Sequence, residues 1–348
     1  MARHKLRSSE LGFKKAEGMA AYLNELYGND IVTAYPQKLF PIERSVLDEL
    51  NNCKFVIDIS TSRAVQVSLG MYRHKDILKV PVVTGFMGAH GEVSFLLIDS
   101  FRKYTNGNYL EAELIGLHQT NSGVKKWLLS GKDVIEPGGG CRMVTSKVPW
   151  SLVSLAGGWA GQNIADLIQE TETLKDFGRI GILEVYKEGL AWNTKSIWFN
   201  LKEPTVLERS GWLIYLSATV EKIIKEKCLE KDGCEACGIL LGTINRAHKI
   251  AFVTTSWIGP IDSDAGENYC VRGREGLRIR LDNNLRATGY QEIYLGEWHS
   301  HPKGATGMSM IDQATSKEMA KRLSEFGLPA ILVITNGNEI DVHVVTEK

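Results

Sequence analysis

Apolar positions recur at helical spacing over residues 11–27, where Ala16, Met19, Ala20, Leu23, Leu26 and Tyr27 form one stripe and Gly28 follows as a stop. The period then changes. Residues 54–60 are a short apolar run that predicts a buried strand. Residues 80–86 and 92–98 predict two more, with Gly88 and Gly91 punctuating the link. From Gly116 to Val144 no period holds, and Pro137-Gly138-Gly139-Gly140 lies inside, which predicts a long loop. Leu152, Leu155, Trp159, Ile164, Leu167 and Ile168 restore a helical stripe. Its small residues (Ala156, Gly157, Gly158, Ala160, Gly161) permit close packing at some loss of helix propensity. Residues 178–200 predict a hairpin. Strands separated by helices predict an α/β sheet for this half.

A break falls near Lys202-Glu203-Pro204. Beyond it, Leu213, Leu216, Val220, Ile223 and Ile224 predict the apolar face of a helix, with Glu221, Lys222, Lys225 and Glu226 opposite. Strands are predicted over 237–242, 250–257 and 292–297, a helix over 309–326, and a closing hairpin from 330–334 and 340–345. This second part is α+β. The 348 residues suit two domains, placed at 1–205 and 206–348.

Charge changes the picture by exclusion. Lysine plus arginine equals aspartate plus glutamate at 41 each, so no global field favours nucleic acid or an anionic membrane. No apolar run approaches the roughly 20 residues that span a bilayer, and the first residues lack the apolar core of a signal peptide. Six cysteines (53, 141, 228, 234, 237 and 270) scattered along the chain do not form a disulfide framework, so a cytoplasmic location is expected.

The chemistry concentrates in Glu297-Trp298-His299-Ser300-His301-Pro302 and Ser309-Met310-Ile311-Asp312. Residues i and i+2 of a strand share a face, so His299 and His301 project together. Asp312 arrives from the first turn of the next helix. Two imidazoles and one carboxylate suit Zn²⁺ and leave a fourth tetrahedral position for water, whose pKa zinc lowers to about 7. A proton acceptor is still needed. Glu235, directly before the apolar strand from Cys237 to Gly242, is the candidate, although spacing alone does not place it beside the metal.

These residues resemble the JAMM (MPN+) metalloproteases. That family carries a glutamate before a Gly-x-Leu-x-Gly-like strand, then His-x-His-Pro, six residues, and Ser-x-x-Asp. Here the pattern runs Glu235, Gly238, Gly242, His299, His301, Pro302, Ser309, Asp312. The resemblance spans residues 206–348 and implies a cytidine-deaminase-like α+β fold. It also implies zinc on His299, His301 and Asp312, proton relay by Glu235, and oxyanion stabilisation by Ser309. The lead-in Tyr294-Leu295-Gly296-Glu297-Trp298 looks like bacterial members found beside ubiquitin-like conjugation genes. The expected activity is cleavage after the C-terminal tail of a ubiquitin-like protein or its conjugate. A conjugating enzyme or a second copy of the chain is a further candidate partner. Cys234 and Cys237 also spell a Cys-x-x-Cys pair for zinc or redox chemistry, but no second pair accompanies them. Cys53, Cys228 and Cys270 read as buried or incidental, and His74, His90, His118, His248 and His343 have no partner pattern.

The first half resembles the ThiF family of adenylyltransferases over residues 1–170. Met1-Ala2-Arg3-His4, Gly12-Phe13-Lys14-Lys15-Ala16 and Val56-Ile57-Asp58-Ile59-Ser60-Thr61 carry the match, followed by Pro81-Val82-Val83-Thr84-Gly85. The resemblance implies that Arg3 and Lys15 hold nucleotide phosphates. Two departures follow. Thr61 stands where the family has a magnesium-binding aspartate, and the first strand with its glycine turn is missing. The expectation is therefore an incomplete Rossmann-like domain that does not adenylate. It arises by truncation, a split gene or a misplaced start, and its parallel sheet has an open edge or gap. Cys141, behind Gly139-Gly140 and beside Arg142, reads either as a thioester cysteine or as an unreactive thiol in a tight turn. Two other functions stay open for the whole chain: a sulfur-carrier processing peptidase, and a module that holds a ubiquitin-like protein without chemistry.

Overall fold

Two β-sheets share one buried helix. The computed structural model describes residues 12, 14–130, 148–169, 171–230 and 233–347. Helix α1 (Lys15–Tyr27) stops at Gly28, whose φ of 68° is left-handed and lets its amide reach the Asn24 carbonyl. After α2 (Arg44–Asn52), the first sheet has the order β1 (Val56–Asp58), β2 (Val82–Met87), β3 (Val93–Ile98), β4 (Phe177–Glu188) and β5 (Ala191–Lys202). Among the described residues of this sheet, only β1 and β2 run parallel, joined through α3 (Arg63–His74). The pairs β2–β3, β3–β4 and β4–β5 are antiparallel, which corrects the expected parallel sheet. For β2–β3 the reason is the short link over residues 88–92, and for β4–β5 the two residues between Glu188 and Ala191: a parallel crossover needs a dozen residues or more. Among the described residues β1 is an edge strand, and Ile57 and Ile59 are 48% and 74% exposed, so the expectation of a buried strand fails there.

The predicted loop after Gly116 also fails in part, since α5 (Ser122–Ser130) occupies its first half. Just before it lies α4 (Gly107–Gly116), which carries no helical stripe because every residue from Gly107 to Ile115 is buried. Its polar residues are buried too, Glu111 against Gln66 and Asn108 against the Val67 carbonyl, so no solvent face exists to set a period. Asn106 caps it by accepting hydrogen bonds from the Asn108 and Tyr109 amides. Helix α6 (Trp150–Gln169) then packs on β4.

The second sheet has the order β14-β13-β12-β8-β9-β7-β6. Its strands are β6 (Thr205–Arg209), β7 (Trp212–Leu216), β8 (Cys237–Asn245), β9 (Ile250–Ile258), β12 (Ile293–Ser300), β13 (Ala330–Thr335) and β14 (Ile340–Val345). A separate two-stranded hairpin, β10 (Asp264–Ala265) and β11 (Cys270–Val271), follows β9. The helices are α7 (Ala218–Glu230), α8 (Leu277–Ala287) and α9 (Met310–Ser324). Leu213 and Leu216, expected on a helix, belong to β7. Trp212, Ile214 and Leu216 enter one core while Leu213 and Tyr215 enter another, so both faces of the strand are buried and alternation disappears from the sequence.

Helix α4 fills the space between the sheets. Tyr109, Leu110 and Leu114 pack with Phe95, Leu97, Ile180 and Ile182 of the first sheet and with Tyr215, Ile250 and Phe252 of the second. Leu114→Ala should therefore destabilise the chain by about 2–5 kcal/mol, read as a lower denaturant midpoint for both sheets together.

Glu113 of α4 is buried with this core, and burial pushes its carboxyl up to about 7 against the pull of Ser217 and Tyr109 hydrogen bonds. The folded state thus holds the proton more tightly than the unfolded chain. The stabilising contribution is complete below about pH 4.5 and is lost as pH rises through about 7. Buried Asp99, also raised to about 7, adds to the same decline. Glu113→Gln should remove roughly 3 kcal/mol of that loss, measured by denaturant melts across this pH range.

Candidate metal centre

The site grows from the register of two central strands. β12 pairs antiparallel with β8, and His299 stands opposite Cys237. Just past the ladder, the Ser300 amide donates to the Ala236 carbonyl at 2.8 Å and the Ala236 amide donates to Ser300 Oγ at 2.8 Å. Glu235, the residue before Ala236, lies within electrostatic reach of His301 and His299. Strand alternation sends Trp298 and Ser300 into the core, both fully buried, and turns Glu297 and His299 to the other face. The glycines of β8 answer to close approach. A Cβ on Gly238 would meet the Trp257 carbonyl and the Trp298 indole, and one on Gly242 would meet the Phe252 carbonyl.

Asp312 reaches the same place through a capping box. Ser309 Oγ accepts from the Asp312 amide at 3.2 Å, and the Ser309 amide donates to Asp312 Oδ2 at 2.8 Å. The side chains then converge. His299 Nε2 lies 3.2 Å from Asp312 Oδ1 and 3.1 Å from His301 Nε2, and His301 Nε2 lies 3.6 Å from Asp312 Oδ2. His301 Nδ1 faces the Ala305 carbonyl at 2.9 Å, which favours a proton there and leaves Nε2 as the donor to a metal. Among the described residues, these three form the group whose ligand atoms all fall within 4.8 Å of one another. Donors around a tetrahedral Zn²⁺ would stand about 3.3 Å apart, given bonds near 2.0–2.1 Å, so two nitrogens and an oxygen at these separations fit the ion.

Charge is distributed accordingly. Burial raises the Glu235 carboxyl above the ordinary range, while His301 and His299 draw it back and Asp312 opposes them. Burial acts to raise Asp312 too, but hydrogen bonds from His299 and Ser309 prevail and hold it well below the usual carboxylate range. A cleft of about 620 Å³ leads away from His299 and Asp312, walled by Cys237, Cys270, Arg272, Tyr294, Ile311 and Met319 among others. Arg272 donates to Glu297 Oε1 from Nη2 at 2.7 Å and from Nε at 3.1 Å.

The structure brings Glu235, His299, His301, Ser309 and Asp312 together, and of these His299 and Asp312 line the cleft. It does not bring Lys15 there: that residue is exposed in the first turn of α1. A second cavity of about 220 Å³, at the ends of β1 and β2, is lined by Asp58, Thr61, Arg63, Gln66, Glu111 and Trp127 with their neighbours, and not by Lys15. Arg3 and Cys141 lie outside the described residues.

Cysteine use needs correction. Cys237 and Cys270 are joined in a disulfide with Cα atoms 6.2 Å apart, whereas Cys270 had read as incidental. The bond also removes Cys237 from a pairing with Cys234, which is free. Nothing in a separation of 33 residues signals the contact, because it depends on the β10–β11 hairpin folding back over β8. Ser300 was likewise missed, since a serine between two histidines gives no sign of the buried bonds it makes.

Residues 217–345 match the family described as prokaryotic homologs of the JAB domain. The chain is 30% identical over 126 residues to a protein named CD-NTase/cGAS isopeptidase from Enterobacter hormaechei subsp. hoffmannii (strain UCI 50), an alignment covering 36% of this chain and 68% of that relative. It is 27% identical over 143 residues to a protein of the same name from Pseudomonas aeruginosa (strain BWHPSA011 / Pa011), covering 38% and 82%. With a buried glutamate, two histidines and a helix-capping aspartate gathered on the matched segment, the chain belongs to the family of prokaryotic JAB-domain proteins.

Proposed function

We propose that this protein is a zinc-dependent isopeptidase that releases a ubiquitin-like protein by cutting after its C-terminal tail. The observation that carries the reading is the convergence of His299 Nε2, His301 Nε2 and an Asp312 carboxylate oxygen beside buried Glu235. The names of the two relatives favour a conjugate of a ubiquitin-like protein over a free peptide as substrate. His299, His301 and Asp312 would hold the ion, which supplies Lewis acidity to the scissile carbonyl.

The remaining work falls to the chain itself. Glu235 accepts a proton from the attacking water and returns it to the leaving amine. Its burial matches the task, because a raised carboxyl pKa brings the base nearer to neutral pH. Ser309 Oγ already accepts from the Asp312 amide, so its own proton is left to donate to the developing oxyanion. The cleft beyond Tyr294 and Met319 takes the extended tail, excluding water along its apolar wall. The first half acts as a support through α4 and as a ThiF-like unit without adenylating activity. Thr61 offers no carboxylate in the second cavity, and Arg63 there is paired with Glu111.

The double change His299→Ala with His301→Ala should abolish binding of about one zinc per chain, checked by elemental analysis of purified protein. Wild-type protein that carries no zinc and gains no activity when zinc is added would end the reading.

Glu235→Gln should keep the zinc yet lower turnover of a ubiquitin-like fusion roughly 10²–10⁴-fold, because an amide cannot take the proton. Wild-type rates in that variant would assign the base to another group.

A further inference from the structure

The hairpin β10–β11 and its flanks, residues 259–276, have almost no core of their own. Only Gly273 in that stretch is buried. What holds it is a ring of ties to the catalytic floor. Cys270 is bonded to Cys237, the residue opposite His299 and two beyond Glu235. The Gly266 carbonyl accepts the Glu235 amide at 2.8 Å. Arg272 pairs with Glu297, and Glu267 at the hairpin tip pairs with Lys303 at 2.8 Å, just past His301 and Pro302. Of the polar ties, the Gly266–Glu235 contact is one backbone hydrogen bond, Arg272–Glu297 is a partly buried double one, and Glu267–Lys303 lies at the surface, where such a pair is weak and exchangeable. The disulfide is the covalent one.

We propose that the Cys237–Cys270 bond is a positioning clamp for Glu235 and that it makes turnover sensitive to reductant. This rests on the peptidase reading above. The bond holds the Gly266 carbonyl against the Glu235 amide, and thereby holds the carboxyl of the base toward the metal ligands. Opening it takes two electrons and two protons from a small thiol or a dithiol protein, which leaves as the disulfide, while Cys237 and Cys270 become thiols. The hairpin then keeps only its polar ties, and Glu235 samples orientations from which proton transfer fails. Both sulfur-bearing residues line the cleft, and Cys234 is a free, partly exposed thiol three positions from Cys237, so attack on the bond has a route.

The test uses the full zinc-loaded chain purified without reductant, compared before and after a phosphine reductant that does not chelate zinc, with Cys270→Ser as a permanently open form. Three quantities are read: kcat and KM on a ubiquitin-like fusion, hydrogen exchange at the Glu235 amide, and zinc content. Opening the bond should lower kcat roughly ten- to a hundred-fold, as expected for a displaced catalytic group. KM should move less, the Glu235 amide should exchange faster while amides of β13 and β14 do not, and zinc should stay. Reoxidation should restore the wild type and not Cys270→Ser. The clamp is overturned if Cys237 and Cys270 alkylate freely in the unreduced protein. It is also overturned if reduction leaves kcat and the Glu235 amide unchanged, or if zinc is lost in step with activity. Should the oxidised enzyme cleave no fusion at all, the peptidase reading fails by itself, and the Glu235 amide still decides the clamp.

Discussion

The site depends on one register, the antiparallel pairing of β8 with β12. It sets His299 opposite Cys237, and the two bonds exchanged between Ser300 and Ala236 carry it one step past the ladder. A slip of one residue would turn the histidines into the core and Trp298 out of it. Glycine protects the register from both sides. Gly238 and Gly242 lie too close to the Trp257 and Phe252 carbonyls for any side chain, and Gly296 lies equally close to the Ile331 carbonyl. Polar chemistry is thus held by apolar fit: Trp298 and Leu295 anchor β12 in a core shared with Ile214, Leu240 and Val333.

The opposite face of the same sheet meets the rest of the chain through α4. The helix has one side on the first sheet and the other on β7 and β9, so the first half is a packing partner of the JAB-like unit. Buried polar groups recur at this contact. His118 faces Asn284 at 3.0 Å, Asn284 donates to Glu292 at 2.9 Å, and Thr255 donates to Glu292 at 2.6 Å. Such a network fixes how the turn after α4 meets α8 and β9 more tightly than apolar packing alone would.

Local chemistry was legible in the sequence, and non-local contact was not. A His-x-His at the end of an apolar strand and a Ser-x-x-Asp at a helix start follow from the periods of strand and helix, which is why His299, His301, Ser309 and Asp312 read clearly. β8, β9, β12, α9 and the closing hairpin read clearly for the same reason. Three features lacked a local trace. α4 and β7 are buried all round, so their patterns carry no solvent face. The antiparallel turn from β2 to β3 hides behind strand patterns that suit either direction. The link between Cys237 and Cys270 exists only once a hairpin has folded over β8.

X-ray absorption at the zinc edge of the zinc-loaded protein tests the central claim most directly, because it counts donors by element without regard to substrate. The account predicts a shell of nitrogen and oxygen at about 2.0–2.1 Å with the outer features of two imidazoles, and no sulfur. A sulfur shell at about 2.3 Å, or a spectrum without imidazole, would place the ion on the cysteines near Glu235 or elsewhere and contradict it.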